Sequence, residues 1–404
     1  MTALNSRRSG SRFTTASLEQ LFGSSRNSLG FLRTLFACLV VVDHAFPIGG
    51  YNGNLDPMWS WTNGQEDIGG LAVAGFFVIS GFLVTMSFER TRNVVQYFWN
   101  RFLRIFPGFW VCLAVTVVVF APIAYLHQYG TLNHYLTTSG GPVSYFWDNM
   151  FLVINQWNID NLLQHVPYRH TGYPPAFDGS LWTLIYEFKC YIGIGLIGAL
   201  GILRRRKVVV VGIAMVWWVA QLEDTLNPHR LQGIPLLGDI SMARLAFFFS
   251  LGALMYLYRD RILISDTLAI IAAVVYLVGM RTALYEGIGQ VAFAYLCMWL
   301  AIRLPLKGFD RAGDFSYGIY IYAFPIEQLC AVYGAQRWGL AAYVLISLAG
   351  TALFAVPSWF LVERRCLRLK RVQLLRFRTR PLARDTIGHE DTGVQLTEHP
   401  SRTR

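Results

Sequence analysis

The side chains best able to do chemistry in this 404-residue chain are ionisable groups set inside long apolar runs. Such groups are costly in a bilayer and usually persist because they line a path or a site. The first run, residues 30–48, holds Arg33, Asp43 and His44. Arg33 and His44 are eleven residues apart, which on a helix leaves them about 20° apart around the axis and roughly 16 Å apart along it. Both can therefore line one interior channel. Taken singly, Arg33 fits an interfacial anchor and His44 a packed, hydrogen-bonded residue; their shared face favours function.

An imidazole, with an ordinary pKa of ~6.5, is the best base here for removing a hydroxyl proton near neutral pH. Asp43 or Glu187 could orient it and stabilise the imidazolium. Glu187 follows Ser180 by seven residues in Asp178-Gly-Ser180-Leu-Trp182-Thr183-Leu-Ile-Tyr186-Glu187, so the two share a helix face. At about 10 Å from the outer end of its helix, Glu187 is expected at the depth of His44 and in contact with it. A structural ion pair between helices is the bland alternative. Ser180, Trp182 and Tyr317 are further candidates for substrate binding.

Arg101 and Arg104, in Arg101-Phe-Leu-Arg104-Ile-Phe-Pro107, share a face beside the third run. Planar guanidinium groups hold phosphates well, although simple anchoring at a cytoplasmic interface also explains the pair. Ser80-Gly81 in the second run is expected to mark close helix packing. Glu327, in the ninth run, is another carboxylate expected to be buried and paired.

These residues need a scaffold, and composition says which kind. Apolar residues make up 54% of the chain and charged residues 15%, too little charge for a water-facing surface. Ten runs are long and apolar enough to span a membrane or nearly so: about 30–48, 68–88, 103–125, 179–202, 208–222, 237–257, 264–280, 286–303, 314–334 and 339–362. The expected fold is an all-α polytopic bundle of about ten transmembrane helices. The net charge of +11 is clustered between runs and in the tails. Arg90, Arg92, Arg101, Arg104, Arg204–Lys207, Arg259, Arg261, Arg303, Lys307 and Arg311 fall in alternate loops, with Arg364, Arg365, Arg368, Lys370 and Arg371 after the last run. The other loops hold only Arg169, Arg230, Arg281 and Arg337. This asymmetry predicts cytoplasmic N- and C-termini and excludes a nucleic-acid groove.

The chain divides into a basic cytoplasmic tail at 1–28, a membrane domain at 29–370 and a polar tail at 371–404, expected to be disordered. The first run lacks a cleavage site and reads as a retained anchor. The six scattered cysteines predict neither a disulfide framework nor a metal site. Two outer segments stand out: 49–67, rich in Gly and Asn with Trp59, Trp61, Asp56, Glu66 and Asp67, and 126–178, a long loop rich in Trp, Tyr and His. Residues 143–155 are expected to lie on or dip into the membrane.

Five stretches together resemble the acyltransferase-3 family of multi-pass membrane O-acyltransferases: the Arg33-x10-His44 spacing, FFVISGFL, RFLRIFP, SLWTLxxE and GDFSYGIY. They occur in order across residues 28–370. The resemblance implies acyl-CoA as a donor substrate supplied from the cytoplasm, with no tightly bound cofactor and no metal. The acceptor it implies is a glycan or glycolipid across the lipid bilayer, at the cell's inner or plasma membrane. It implies His44 as the catalytic histidine, Arg33 as its motif partner, and Arg101 and Arg104 near the donor. Ala323 stands where many members carry histidine, and the chain ends soon after the last run, so the membrane domain is expected to complete the transfer alone.

The expected function is transfer of an acyl group, acetyl first, to a sugar hydroxyl. Direct attack and an acyl-histidine intermediate both remain open, and the sequence does not reveal the oligomeric state. The rival reading is a transporter of a polar solute or glycan precursor, but the chain shows no internal repeat of the kind such proteins often carry.

Overall fold

The computed structural model describes residues 16–23, 27–91, 93–173, 175–228 and 230–371. Arg7, Arg8, Arg12, Arg26, Arg92 and the tail after 371 lie outside the described residues.

Each of the ten predicted runs is a helix. They are α1 (Leu29–Gly49), α2 (Ile68–Thr91), α3 (Val94–Tyr129), α4 (Ser180–Ala199), α5 (Lys207–Leu226), α6 (Ile240–Leu257), α7 (Asp266–Gly279), α8 (Tyr285–Arg303), α9 (Ser316–Val332) and α10 (Leu340–Arg368). Within a bilayer a backbone has no water to bond, and a helix satisfies its amides internally. Eight are long and apolar enough to cross a membrane. The remaining two are shorter, with 14 residues in α7 and 17 in α9. The protein is thus an all-α polytopic bundle. The described strands are two residues each, pairing Ala16–Ser17 with Leu263–Ile264.

The loops gather at two opposite ends. At one, the Glu19 N–H donates to Arg259 O (3.0 Å), Ser28 N–H to Ala301 O (2.7 Å), Lys207 Nζ to Leu257 O (2.7 Å) and Gln96 Nε2 to Lys370 O (3.1 Å). At the other, Tyr51 donates to Gln336 O (2.6 Å), Gln65 to Met280 O (3.1 Å) and Gln328 to Ala176 O (2.9 Å). Successive helices therefore run alternately between the ends. The clustered Arg and Lys residues mark the first, here the basic end.

Small residues set the closest contact. A Cβ on Gly81 of α2 would stand 1.9 Å from Phe249 O, and one on Gly252 of α6 would stand 2.0 Å from Val78 O. Backbone rests on backbone there, as small residues at membrane helix interfaces permit. Gly50 stops α1 in a left-handed cap (φ 74°), its N–H bonded to Phe46 O. The long 126–178 segment is partly helical, at Pro142–Asn149 and Pro167–His170. Val143, Trp147, Phe151 and Val153 on it are exposed.

Candidate active site

Among the cavities formed by the described residues, two are lined in part by α1. The first, about 100 Å³, is lined by Arg33 of α1, Ser80 of α2, Arg101 and Arg104 of α3, Glu187 and Tyr191 of α4, and Ser316 and Tyr317 of α9. The second, about 460 Å³, is lined by Asp43 and His44 of α1, Asp56, Trp59, Asp67, Trp157, Tyr168, Tyr173, Trp182 of α4, Arg244 of α6 and Phe324 of α9. Val73 and Tyr320 line both, so the two cavities lie on either side of these residues. The pair will be called the basic and the aromatic cavity.

In the basic cavity, Asp314 ties two arginines. Its Oδ2 accepts from Arg33 Nη1 (2.5 Å) and Arg104 Nη2 (2.8 Å), while Ser316 Oγ donates to Oδ1 (2.6 Å). Burial alone would raise the Asp314 pKa, but the two guanidinium groups outweigh it and hold the carboxyl well below its usual range. Arg104 also lies over the Tyr317 ring, whose hydroxyl donates to Ile105 O (2.7 Å). Arg101 differs. It sits over the rings of Tyr97 and Tyr191, its Nη2 reaches Ser87 Oγ at 3.3 Å, and its Nε is buried with no hydrogen-bond partner.

In the aromatic cavity, His44 Nδ1 stands 3.6 Å from Oε2 of the fully buried Glu327, and the imidazole packs edge-on to Phe324 at 4.9 Å between centroids. Neither His44 Nδ1 nor either Glu327 oxygen has a hydrogen bond. Phe324 meets the edge of Tyr168, which stacks on Tyr173 at 6.3 Å. An unbroken row of rings thus leads outward from the imidazole. Gly179 makes room for Phe324, since a Cβ there would stand 2.6 Å from its ring.

The structure brings most of the expected residues to the two cavities but changes their partners. The expected contact between Glu187 and His44 does not form. Glu187 accepts from Ser80 (2.8 Å) and Tyr191 (2.5 Å) and faces the basic cavity. The cause is the start of α4. Asp178 and Ser180 are already buried, and Ser180–Thr183 is a 3-10 turn, whose rise of about 2.0 Å per residue carries Glu187 deeper than an α-helix would. Asp43 does not orient His44 either. Its carboxylate lies against Gly69, where a Cβ would stand 2.4 Å from Asp43 Oδ2. Adjacent residues point about 100° apart on a helix, so Asp43 faces α2 while His44 faces α9. Ser180 lines neither cavity; its hydroxyl is bonded to Asp178 Oδ1 (2.9 Å) and lies 3.0 Å from Tyr320 O.

Sequence reading gave no role to Asp314, Tyr320 or Arg244 and no partner to Glu327. One signal was present for Glu327. It lies five residues before the end of α9 at Val332, and His44 lies five before the end of α1 at Gly49. Both helices finish at the same end, so the two groups share a depth.

Residues 26–360 match the acyltransferase-3 family model, described as an acyltransferase domain. Nodulation protein 10 of Rhizobium leguminosarum bv. viciae is 28% identical over 381 residues, covering 85% of this chain and 94% of that protein. An O-acetyl transferase of Shigella phage Sf6 is 30% identical over 361 residues, covering 84% of this chain and 96% of that protein. No solved structure matches the chain. The helices and the family match define a multi-pass membrane O-acyltransferase. The chain belongs to the acyltransferase-3 family.

Proposed function

We propose that the protein transfers an acyl group, acetyl first, from acyl-CoA on the cytoplasmic side to a sugar hydroxyl on the far side of the cell's inner or plasma membrane. The single observation that carries this reading is the placing of two cavities back to back across Val73 and Tyr320, one arginine-lined and the other built of His44 and aromatic rings. The Sf6 relative's name supports acetyl as the group moved. The loop charge asymmetry supports the basic end, with both termini, as cytoplasmic.

In this reading the donor's phosphates meet Arg101, whose donors are not engaged by an acid, beside the Arg33–Asp314–Arg104 clamp. The thioester extends toward Tyr320. A sugar hydroxyl in the aromatic cavity gives its proton to His44 as its oxygen attacks the thioester carbonyl. The carbon–sulfur bond then breaks, and the imidazolium returns the proton to the departing thiolate. Glu327, facing Nδ1, holds the ring and stabilises its cationic form. Arg33 and Arg104, with Tyr317 beneath, fix the wall the donor passes. Glu187, Ser80 and Tyr191 line the route, Trp182 offers the sugar a ring face, and Ser180 positions the start of α4.

Purified protein in detergent should move label from acetyl-CoA to a glycan with no membrane compartment. His44→Ala should abolish this, a loss of at least about 10²- to 10⁴-fold for a general base, while the protein elutes unchanged. Wild-type transfer by that variant would remove His44 from the mechanism.

A further inference from the structure

The aromatic cavity has a charge pattern that speaks to the acceptor's chemistry. Asp43, Asp56 and Asp67 line it, and among the described residues its one full-time cation is Arg244. The charge of Arg244 is already matched by a carboxylate of the protein. Its Nη2 lies 2.5 Å from both oxygens of buried Glu66, and Tyr285 donates to the same carboxylate. Counting Glu66, four carboxylates face one guanidinium. The walls around them are Trp59, Trp157, Trp182, Tyr168 and Tyr173. Aromatic faces suit the apolar faces of a sugar ring, and carboxylates accept hydrogen bonds from its hydroxyls. His44 lines the same space, so these acids and rings surround the imidazole proposed as the base.

We infer that this cavity selects an acceptor sugar free of acidic groups, with Asp56 and Asp67 as the residues that turn away uronic or phosphorylated sugars. The inference rests on the proposed acyl transfer to a sugar and names the class of that sugar. An anion in a site of about 460 Å³ would sit close to several carboxylates in a medium less polar than water, where like-charge repulsion is strong. A neutral pyranoside gains the same ring contacts without that penalty.

Both residues also have a local duty. Asp56 accepts from the N–H groups of Met58 (2.8 Å) and Trp59, and Asp67 accepts from that of Gly70, so each caps a helix. Asparagine caps as well as aspartate. The double variant Asp56→Asn/Asp67→Asn therefore removes charge and keeps the caps.

The test compares three labelled glycosides that differ only in charge: methyl glucoside, methyl glucosaminide and methyl glucuronide. The full-length protein in detergent is assayed at pH 8, above the value of about 7 to which burial, opposed by Arg244, lifts Glu66. Equilibrium dialysis reads binding, and label from acetyl-CoA reads transfer. The expected result is that glucuronide binds and reacts at least tenfold less well than glucoside, with glucosaminide no worse than glucoside. In the double variant the glucoside-to-glucuronide ratio should fall at least fivefold. Glucuronide equal to glucoside, an unmoved ratio in the double variant, or no binding of any of the three would overturn the inference. Binding in the expected order without transfer would leave it standing and overturn the proposed transfer instead.

Discussion

The basic and aromatic cavities share α1, α9 and Tyr320, yet the carboxylate that faces the basic residue of α1 is met in one and unmet in the other. In the basic cavity Asp314 is held by two arginines and a serine, and Glu187 by a serine and a tyrosine. In the aromatic cavity His44 and Glu327 face each other at 3.6 Å with no hydrogen bond to either. Buried polar groups in folded proteins are nearly always bonded, and exceptions call for an explanation. The difference suggests a division of labour. On the proposed function, the first cavity holds a fixed shape for an anionic donor, whereas the second keeps an unmet acid–base pair ready for a proton to move.

The largest expected effect that separates the two is at Glu327. Glu327→Gln keeps the size of the side chain but removes the negative charge opposite Nδ1. An imidazolium formed during transfer then lacks its counter-charge, so kcat should fall about 10²-fold or more. The KM for acetyl-CoA should stay within a factor of two, because the proposed function puts the donor's phosphates in the other cavity. Steady-state kinetics on the purified variant measures both. An unchanged kcat would mean that Glu327 is only a packed acid, and the contrast between the cavities would lose its catalytic meaning.

Next in size is Asp314, where the expected damage is to structure. Asp314→Asn leaves Arg33 and Arg104, each mostly buried, facing one another without their shared acid. Removing one partner of a buried charge cluster costs roughly 3–5 kcal/mol, and partial exposure places this site near about 3 kcal/mol. Thermal unfolding in detergent should show a clear drop in midpoint, partly restored by a polyanion such as pyrophosphate. A midpoint equal to that of wild type would show that the clamp is not what shapes the cavity.

The two cavities also differ in how far they could be read from the chain. The spans were legible because bilayer thickness imposes a run length, and all ten runs are helices. Gly81 was legible as a packing position because an apolar helix has few other uses for glycine. The Arg33–His44 spacing put both residues on the cavity-lining side of α1, since helical geometry alone fixes it, but each lines its own cavity rather than one channel. Partners across helices were not legible. The depth of Glu187 depended on a buried 3-10 start to α4 that no periodicity reports. Arg244 was absorbed into an apolar run, although its partner Glu66 lies 178 residues away in an outer loop. Asp314 looked like a helix-start residue, and only the fold brings Arg33 and Arg104 to it. Local sequence fixes faces and depths, while long-range packing decides which charges meet.

The smallest expected effect concerns Lys370, which lies just beyond α10 and is joined to α3 through the Gln96 bond to its carbonyl. Burial lowers its pKa to about 7, and the nearby charges of Arg101, Arg104 and Arg33 push in the same direction. If those arginines take the donor's phosphates as proposed, a lysine near all three is a pH-dependent contact. Below pH 7 it is charged and adds to the attraction for phosphate; as pH rises through about 7 it loses its proton and that attraction fades. Binding of acetyl-CoA at fixed ionic strength should therefore weaken about three- to tenfold between pH 6 and pH 8. In Lys370→Met the affinity should be lower at pH 6 and nearly flat across that range. His44 lies in the other cavity and is proposed to act on turnover, so measuring donor binding apart from kcat keeps the two groups separate. If Lys370→Met keeps the full pH dependence of donor binding, the residue lies outside the donor's reach and the basic cavity ends at its arginines.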